Sequence, residues 1–159
     1  MQELIKKLKK VYPDLKFKSG NQFYWSPESK LIIYKASGDQ PQDIWSLLHE
    51  TGHALLSHKT YKADYELVKM EVSAWKKAKE LAGTFKIDID NDHIEDCLDT
   101  YRDWLHKRSI CPTCGVKSLQ QDNYTHYQCY NCHTVWKVSS SRFCRSYRAK
   151  DKNLQPETL

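Results

Sequence analysis

The sequence predicts an α+β protein in three parts. A domain over residues 1–108 carries a small antiparallel hairpin and amphipathic helices. A small cysteine-knuckle module follows over 109–138, and a basic polar tail over 139–159. Three observations predict this. Apolar residues recur at helical spacing in four separate segments. Two short β-type runs flank the turn Ser26-Pro27-Glu28-Ser29. Two CxxC pairs, Cys111/Cys114 and Cys129/Cys132, stand fourteen residues apart.

The elements follow in chain order. Leu4, Leu8 and Val11 give a first helix its apolar face, with Lys6, Lys7, Lys9 and Lys10 toward water; Tyr12-Pro13 ends it. Phe23 and Trp25 alternate in one strand, and Leu31-Ile32-Ile33-Tyr34 forms the returning strand. Asp39-Gln40-Pro41 starts a helix over about 41–58, with Ile44, Leu47, Leu48, Thr51 and Leu55 on its core face. The next helical stretch runs from about Ala63 to Leu81 and is expected to stop at Gly83. Ile94, Cys97, Leu98, Tyr101 and Leu105 mark a further helix from a cap near Asn91.

The second of these helices carries His49-Glu50-Thr51-Gly52-His53. Histidines four residues apart on a helix point the same way, one turn above the other. That arrangement suits two corners of a tetrahedral zinc ion, and a glutamate beside the first His suits a general base acting on water. Gly52 costs roughly 1 kcal/mol against Ala inside a helix. A small residue there gives another element room to approach the second His. His58, five residues beyond His53, falls about 140° away on a continued helix and is expected to be solvated.

Glu71 is the expected third ligand. It falls inside the apolar stripe Leu67, Met70, Ala74, Ala78 and Leu81, one turn before Trp75. A carboxylate on a core-facing stripe is costly unless paired or bound to metal. A buried Glu–Lys pair is the competing reading. Asp64 and Glu66 lie at a helix start, where the helix dipole already favours acids.

The four knuckle cysteines read as a structural zinc ribbon, because each CxxC offers two thiolates and four close a tetrahedral site. Two disulfides are the alternative, which needs an oxidising compartment. Residues Met1–Lys10 form a basic amphipathic start with no apolar signal segment, so a cytoplasmic location is expected. Of the six cysteines, Cys97 is expected in the core and Cys144 as a free thiol in the tail.

HETGHALLSH followed by KMEVSAW resembles the ImmA/IrrE-type metallopeptidases, small gluzincins with a zincin-like fold, over residues 20–85. The resemblance implies a zinc endopeptidase, a metalloprotease hydrolase acting on a regulatory protein. It implies His49, His53 and Glu71 as ligands and Glu50 as the catalytic base; with the ribbon, two zinc ions per chain are expected, one catalytic and one structural. Two positions depart from the pattern. Ser73 stands where Asn often follows the ligand Glu, and Trp75 stands where thermolysin-like chains carry Asp. The partner that orients each metal-binding His is thereby left open. So is the oxyanion donor, for which Tyr34, Tyr61 and Tyr65 are candidates. The strand 31–35 is expected at a sheet edge, pairing with an extended substrate peptide.

The formal net charge of +5 is uneven: residues 1–108 carry 18 Lys+Arg against 17 Asp+Glu, and residues 109–159 carry 7 against 3. Arg142, Arg145 and Arg148 are interleaved with Phe143 and Tyr147. Three readings of this tail stand: a nucleic-acid contact, a solvated terminus, or a partner of the acidic stretch 88–103. Two other functions therefore compete with the regulatory protease. One is a SprT-like protease acting on DNA-bound proteins, although such chains take a third His from a His-Gly segment that has no match here. The other is a non-catalytic nucleic-acid-binding regulator with two structural zincs. A protein substrate is the expected partner, nucleic acid an optional one, and no membrane is expected.

Overall fold

The structure is a computed structural model describing residues 1–139 and the backbone of 148–150. The described residues form four helices and seven strands in two small sheets, an α+β arrangement. No helix among them is long and apolar enough to cross a membrane. The chain divides into two compact units: Met1–Thr60 with Lys69–Glu95, and Tyr61–Val68 with the chain from Asp96 onward.

In the first unit, α1 (Gln2–Val11) buries Leu4, Ile5 and Leu8. Val11, expected on that face, is exposed. It occupies the last turn, just before the chain leaves the helix at Tyr12, and Ile5 takes its share of the core. Strands β1 (Lys16–Gly20), β2 (Tyr24–Ser26) and β3 (Leu31–Lys35) form a sheet in the order β1-β3-β2. The expected hairpin is present: β2 pairs antiparallel with β3, placing Trp25 opposite Ile32. The expected edge position of 31–35 is corrected, because β3 is central and β1 pairs with it in parallel. β1 reads Lys-Phe-Lys-Ser-Gly, and its single large apolar side chain gives no alternation to detect. The two edge strands are β1 and β2.

Helix α2 (Pro41–Leu55) begins with Pro in its first turn, and Asp43 Oδ2 accepts from the Gln40 N–H at 3.4 Å. It ends three residues short of the expected 58. Leu56 is the C-cap and Ser57 takes φ +54°, which reverses the chain. α3 (Asp64–Phe85) runs through Gly83 instead of stopping there, and turns at Lys86 with φ +55°. Leu81 and Ala82 are buried beside Gly83. Packing at that turn outweighs the roughly 1 kcal/mol helix cost of a glycine. α4 (Asn91–Ser109) starts at the expected cap region.

In the second unit, β4 (Leu119–Gln120), β5 (His126–Gln128), β6 (Val135–Val138) and β7 (Arg148–Lys150) form an antiparallel meander. Tyr127, Trp136 and Val138 pack with Cys111 and Cys129 into one core cluster. A buried polar network joins this meander to the start of α3 and the end of α4. The Asp64 carboxylate accepts from Arg108 Nε at 2.6 Å, from Arg108 Nη2 at 3.2 Å and from Tyr127 Oη at 2.7 Å. Burial, then Asp64, push the Tyr127 phenol well above its usual range. Arg108 also lies over the Trp104 ring, and its carbonyl accepts from Trp136 Nε1 at 3.1 Å. Asp64 thus has a partner that its position at a helix start did not reveal.

This network makes a sharp stability prediction. Removing one partner of a buried ion pair leaves an uncompensated charge and costs about 3–5 kcal/mol. Arg108→Met is expected to destabilise this unit by that amount in urea melts. The doubly substituted Asp64→Leu/Arg108→Met chain is expected to recover most of the loss. Equal destabilisation of the single and double variants would show that the stranded carboxylate is not the cause.

Candidate metal centres

Three ligand atoms from α2 and α3 converge in the first unit. His53 Nε2 lies 3.1 Å from His49 Nε2. Glu71 Oε2 lies 3.2 Å from His49 Nε2 and 3.6 Å from His53 Nε2. The i, i+4 spacing places the two imidazoles on one face of α2, edge to face with centroids 4.6 Å apart. Gly52 then lets α3 come close. A Cβ at Gly52 would stand 2.6 Å from the Ala74 carbonyl oxygen, so any side chain there would force the helices apart. That carbonyl lies one turn beyond Glu71, and the close approach brings the Glu71 carboxylate up to the histidines.

All three residues are buried. Burial alone would raise the Glu71 pKa, but the hydrogen-bonding and charge contacts of His49 and His53 bring it down to about 2. Among the described residues Glu71 pairs with the two histidines and with no lysine, in place of the competing Glu–Lys pair. The triangle also has the size of a metal site. Bonds of roughly 2.0–2.1 Å at tetrahedral angles separate donor atoms by about 3.3 Å. The observed edges bracket that spacing.

Each histidine is oriented differently. The His49 ring packs on Trp75, with centroids 4.3 Å apart, and its buried Nδ1 has no hydrogen-bond partner among the described residues. His53 Nδ1 instead meets His58 Nδ1 at 2.9 Å. The expectation that His58 is solvated and points away is therefore corrected. It assumed an unbroken helix, whereas the turn at Ser57 folds the chain back, and the His58 N–H donates to the His53 carbonyl at 3.0 Å. Burial first, then His53, lower the His58 pKa and favour its neutral form. Its Nε2 lies 3.2 Å from Ser73 Oγ.

Glu50 Oε2 accepts the backbone N–H of Trp25 at 2.7 Å. The base candidate is thus tied to β2, an edge strand of the sheet. The Trp25 indole N–H donates to the His58 carbonyl at 2.8 Å. A cavity of about 280 Å³ opens beside these residues. Leu15, Trp25, Ala54 and His58 are among its lining side chains, with Lys30 and Lys59 also on its wall.

The four cysteines of the second unit form the other group. Cys111 Sγ lies 3.6 Å from Cys132 Sγ, and Cys114 Sγ lies 3.5 Å from Cys129 Sγ. All four are free thiols rather than disulfides. Each close contact joins one CxxC to the other, so the two knuckles face each other. Tetrahedral bonds of roughly 2.3 Å separate sulfurs by about 3.8 Å, close to these spacings. Burial opposes ionisation of Cys129, but the knuckle amides of Cys132 and Asn131 and the Ser118 hydroxyl bring its pKa down to about 6. Within each group the ligand atoms lie within 4.8 Å of one another, which makes both candidate metal sites.

No family model, curated protein or solved structure matches this chain.

The remaining site expectations divide. Tyr34 is buried and its hydroxyl accepts from Gln2 Nε2 at 3.3 Å. Tyr61 and Tyr65 belong to the second unit. Arg142, Arg145 and Cys144 lie outside the described residues, and the backbone of Arg148 pairs with Val138 in β7. Cys97 is half-buried on α4. The sequence places Trp25 only as a strand residue and Ser73 only as a departure from a pattern, and neither position signals its contact with Glu50 or His58.

Proposed function

We propose that this chain is a zinc-dependent endopeptidase of the gluzincin type, similar to the ImmA/IrrE metallopeptidases. In this reading the first unit has a zincin-like fold and the cysteine module is a structural zinc ribbon. The observation that carries it is the buried triangle of His49, His53 and Glu71 on helices that also present Glu50. Two imidazole nitrogens and one carboxylate oxygen are the donor set of a three-ligand catalytic zinc, with the fourth position left for water or substrate. When bound, the ion supplies Lewis acidity to the scissile carbonyl and acidifies water.

The chain's own residues supply the rest. The Trp25 N–H holds Glu50 Oε2, which leaves Oε1 to take a proton from the attacking water and return it to the leaving amine. The substrate is a protein, proposed to be a regulatory one, and the free knuckle thiols suit a reducing, cytoplasmic setting. Glu71 in the triangle favours this reading over the SprT-like one, which needs a third histidine. A role for Arg142, Arg145 and Arg148 in nucleic-acid binding rests on the charge excess of residues 109–159 and the interleaved Phe143 and Tyr147.

The test is metal content together with cleavage of casein and of candidate repressors, with and without chelator. Two zinc ions per chain and chelator-sensitive cleavage are expected. A chain that holds two zincs, cleaves nothing and binds DNA with a salt slope of about one per phosphate contact would instead be a non-catalytic regulator. Cleavage stimulated by DNA, and lost when the three arginines become alanine, would favour the SprT-like alternative.

A further inference from the structure

We infer that His58 is a positioning residue for His53, holding it in the tautomer whose bare Nε2 faces His49 and Glu71. The inference rests on reading that triangle as a metal centre. It follows from counting protons along a chain of three contacts. Ser73 Oγ lies 2.9 Å from the Met70 carbonyl, which can only accept, so the single hydroxyl proton goes there. Ser73 Oγ is then the acceptor in its 3.2 Å contact with His58 Nε2, which must carry a hydrogen. A neutral imidazole has one N–H, so His58 Nδ1 is bare. At 2.9 Å it accepts from His53 Nδ1–H. His53 Nε2 is left with its lone pair, and this is the atom 3.1 Å from His49 Nε2 and 3.6 Å from Glu71 Oε2.

The relay ends on the backbone of α3, at the residue before Glu71. The helix that supplies one ligand directly thus orients another through Ser73 and His58. The position of His58 is itself fixed from two sides. Its N–H donates to the His53 carbonyl at 3.0 Å, and its own carbonyl accepts from the Trp25 indole at 2.8 Å. Trp25 therefore holds both Glu50, through its amide, and His58, through its ring. Among the described residues His49 Nδ1 has no such relay, and the His49 ring packs on Trp75 instead.

The experiment measures zinc affinity at both sites of the full chain by competition with a chromogenic chelator. The ribbon site is the internal control. His58→Phe keeps a planar ring without the acceptor and is expected to weaken the His49/His53/Glu71 site about 10–100-fold, the range for losing such a partner. His58→Asn is expected to restore most of that affinity, because its Oδ1 can accept from His53 and its amide N–H can reach toward Ser73. Nitrogen-15 spectra of the wild-type histidines, taken without metal, should show His53 protonated at Nδ1. Unchanged affinity in His58→Phe, equal loss in the Phe and Asn variants, or an Nε2-protonated His53 in wild type each overturns the positioning role. Wild type holding one zinc, at the ribbon only, overturns the metal-centre reading and this role with it. Two zincs in wild type with full affinity in His58→Phe overturn the role alone.

Discussion

Glu50→Gln is expected to keep both zinc ions and lose proteolysis by about 10²–10⁴-fold, the usual worth of a positioned general base. The amide has nearly the shape of the carboxylate. Its oxygen can still accept the Trp25 N–H that Glu50 Oε2 now takes at 2.7 Å. The variant removes the proton acceptor and leaves the edge contact intact, so metal content and activity separate. His49→Ala, His53→Ala and Glu71→Ala are expected to behave differently, each losing one zinc along with all cleavage. Glu71 is the most exacting of these. Its carboxylate is buried, with Oε2 3.2 Å from His49 Nε2 and 3.6 Å from His53 Nε2. Its loss leaves the imidazoles without the only anion that contacts them in the described structure. Zinc titrations of the variants against a chelator check this. A Glu71→Ala chain that binds two zincs with wild-type affinity would sink the gluzincin assignment. Full activity in Glu50→Gln would sink the general-base role.

Cys111→Ser and Cys129→Ser are expected to lower the zinc content from two to one and to unfold residues 109–137. Structural zinc supplies folding free energy outright, roughly 10–16 kcal/mol in zinc-finger peptides at neutral pH. That is comparable to the whole stability of an ordinary domain, about 5–15 kcal/mol. Both cysteines are almost fully buried and pack with Tyr127, Trp136 and Val138. Tyr127 and Trp136 are in turn hydrogen-bonded to Asp64 and to the Arg108 carbonyl. Hydrogen exchange is therefore expected to rise through the meander and at both of those helix ends, while the 1–60 segment stays protected. Intact-mass measurement offers the opposite outcome: disulfides among these four cysteines, with no metal bound there, would remove both the ribbon and the cytoplasmic setting.

Local signals were enough to place both candidate sites. His49, Glu50 and His53 are fixed by helical spacing, and each CxxC is a self-contained knuckle. Glu71 was legible because one acid on an apolar stripe demands a partner. The antiparallel pairing of β2 with β3 was legible from turn chemistry and β-type residues. Other features depend on contacts between segments far apart in sequence. β1 lacks the alternation of a strand and is one because β3 pairs with it in parallel. Gly83 lies inside α3 because its buried neighbours hold that turn. Asp64 looks like a helix-dipole acid and is instead the acceptor for Arg108 and Tyr127. His58 shows the difference most clearly. Sequence spacing turns it away from His53 only if the helix continues, and a single positive φ at Ser57 brings the two rings together. Short-range periodicity is written in the chain, because it needs only the geometry of one element. The partners of buried polar groups are chosen when separate elements pack, and tertiary structure alone decides them.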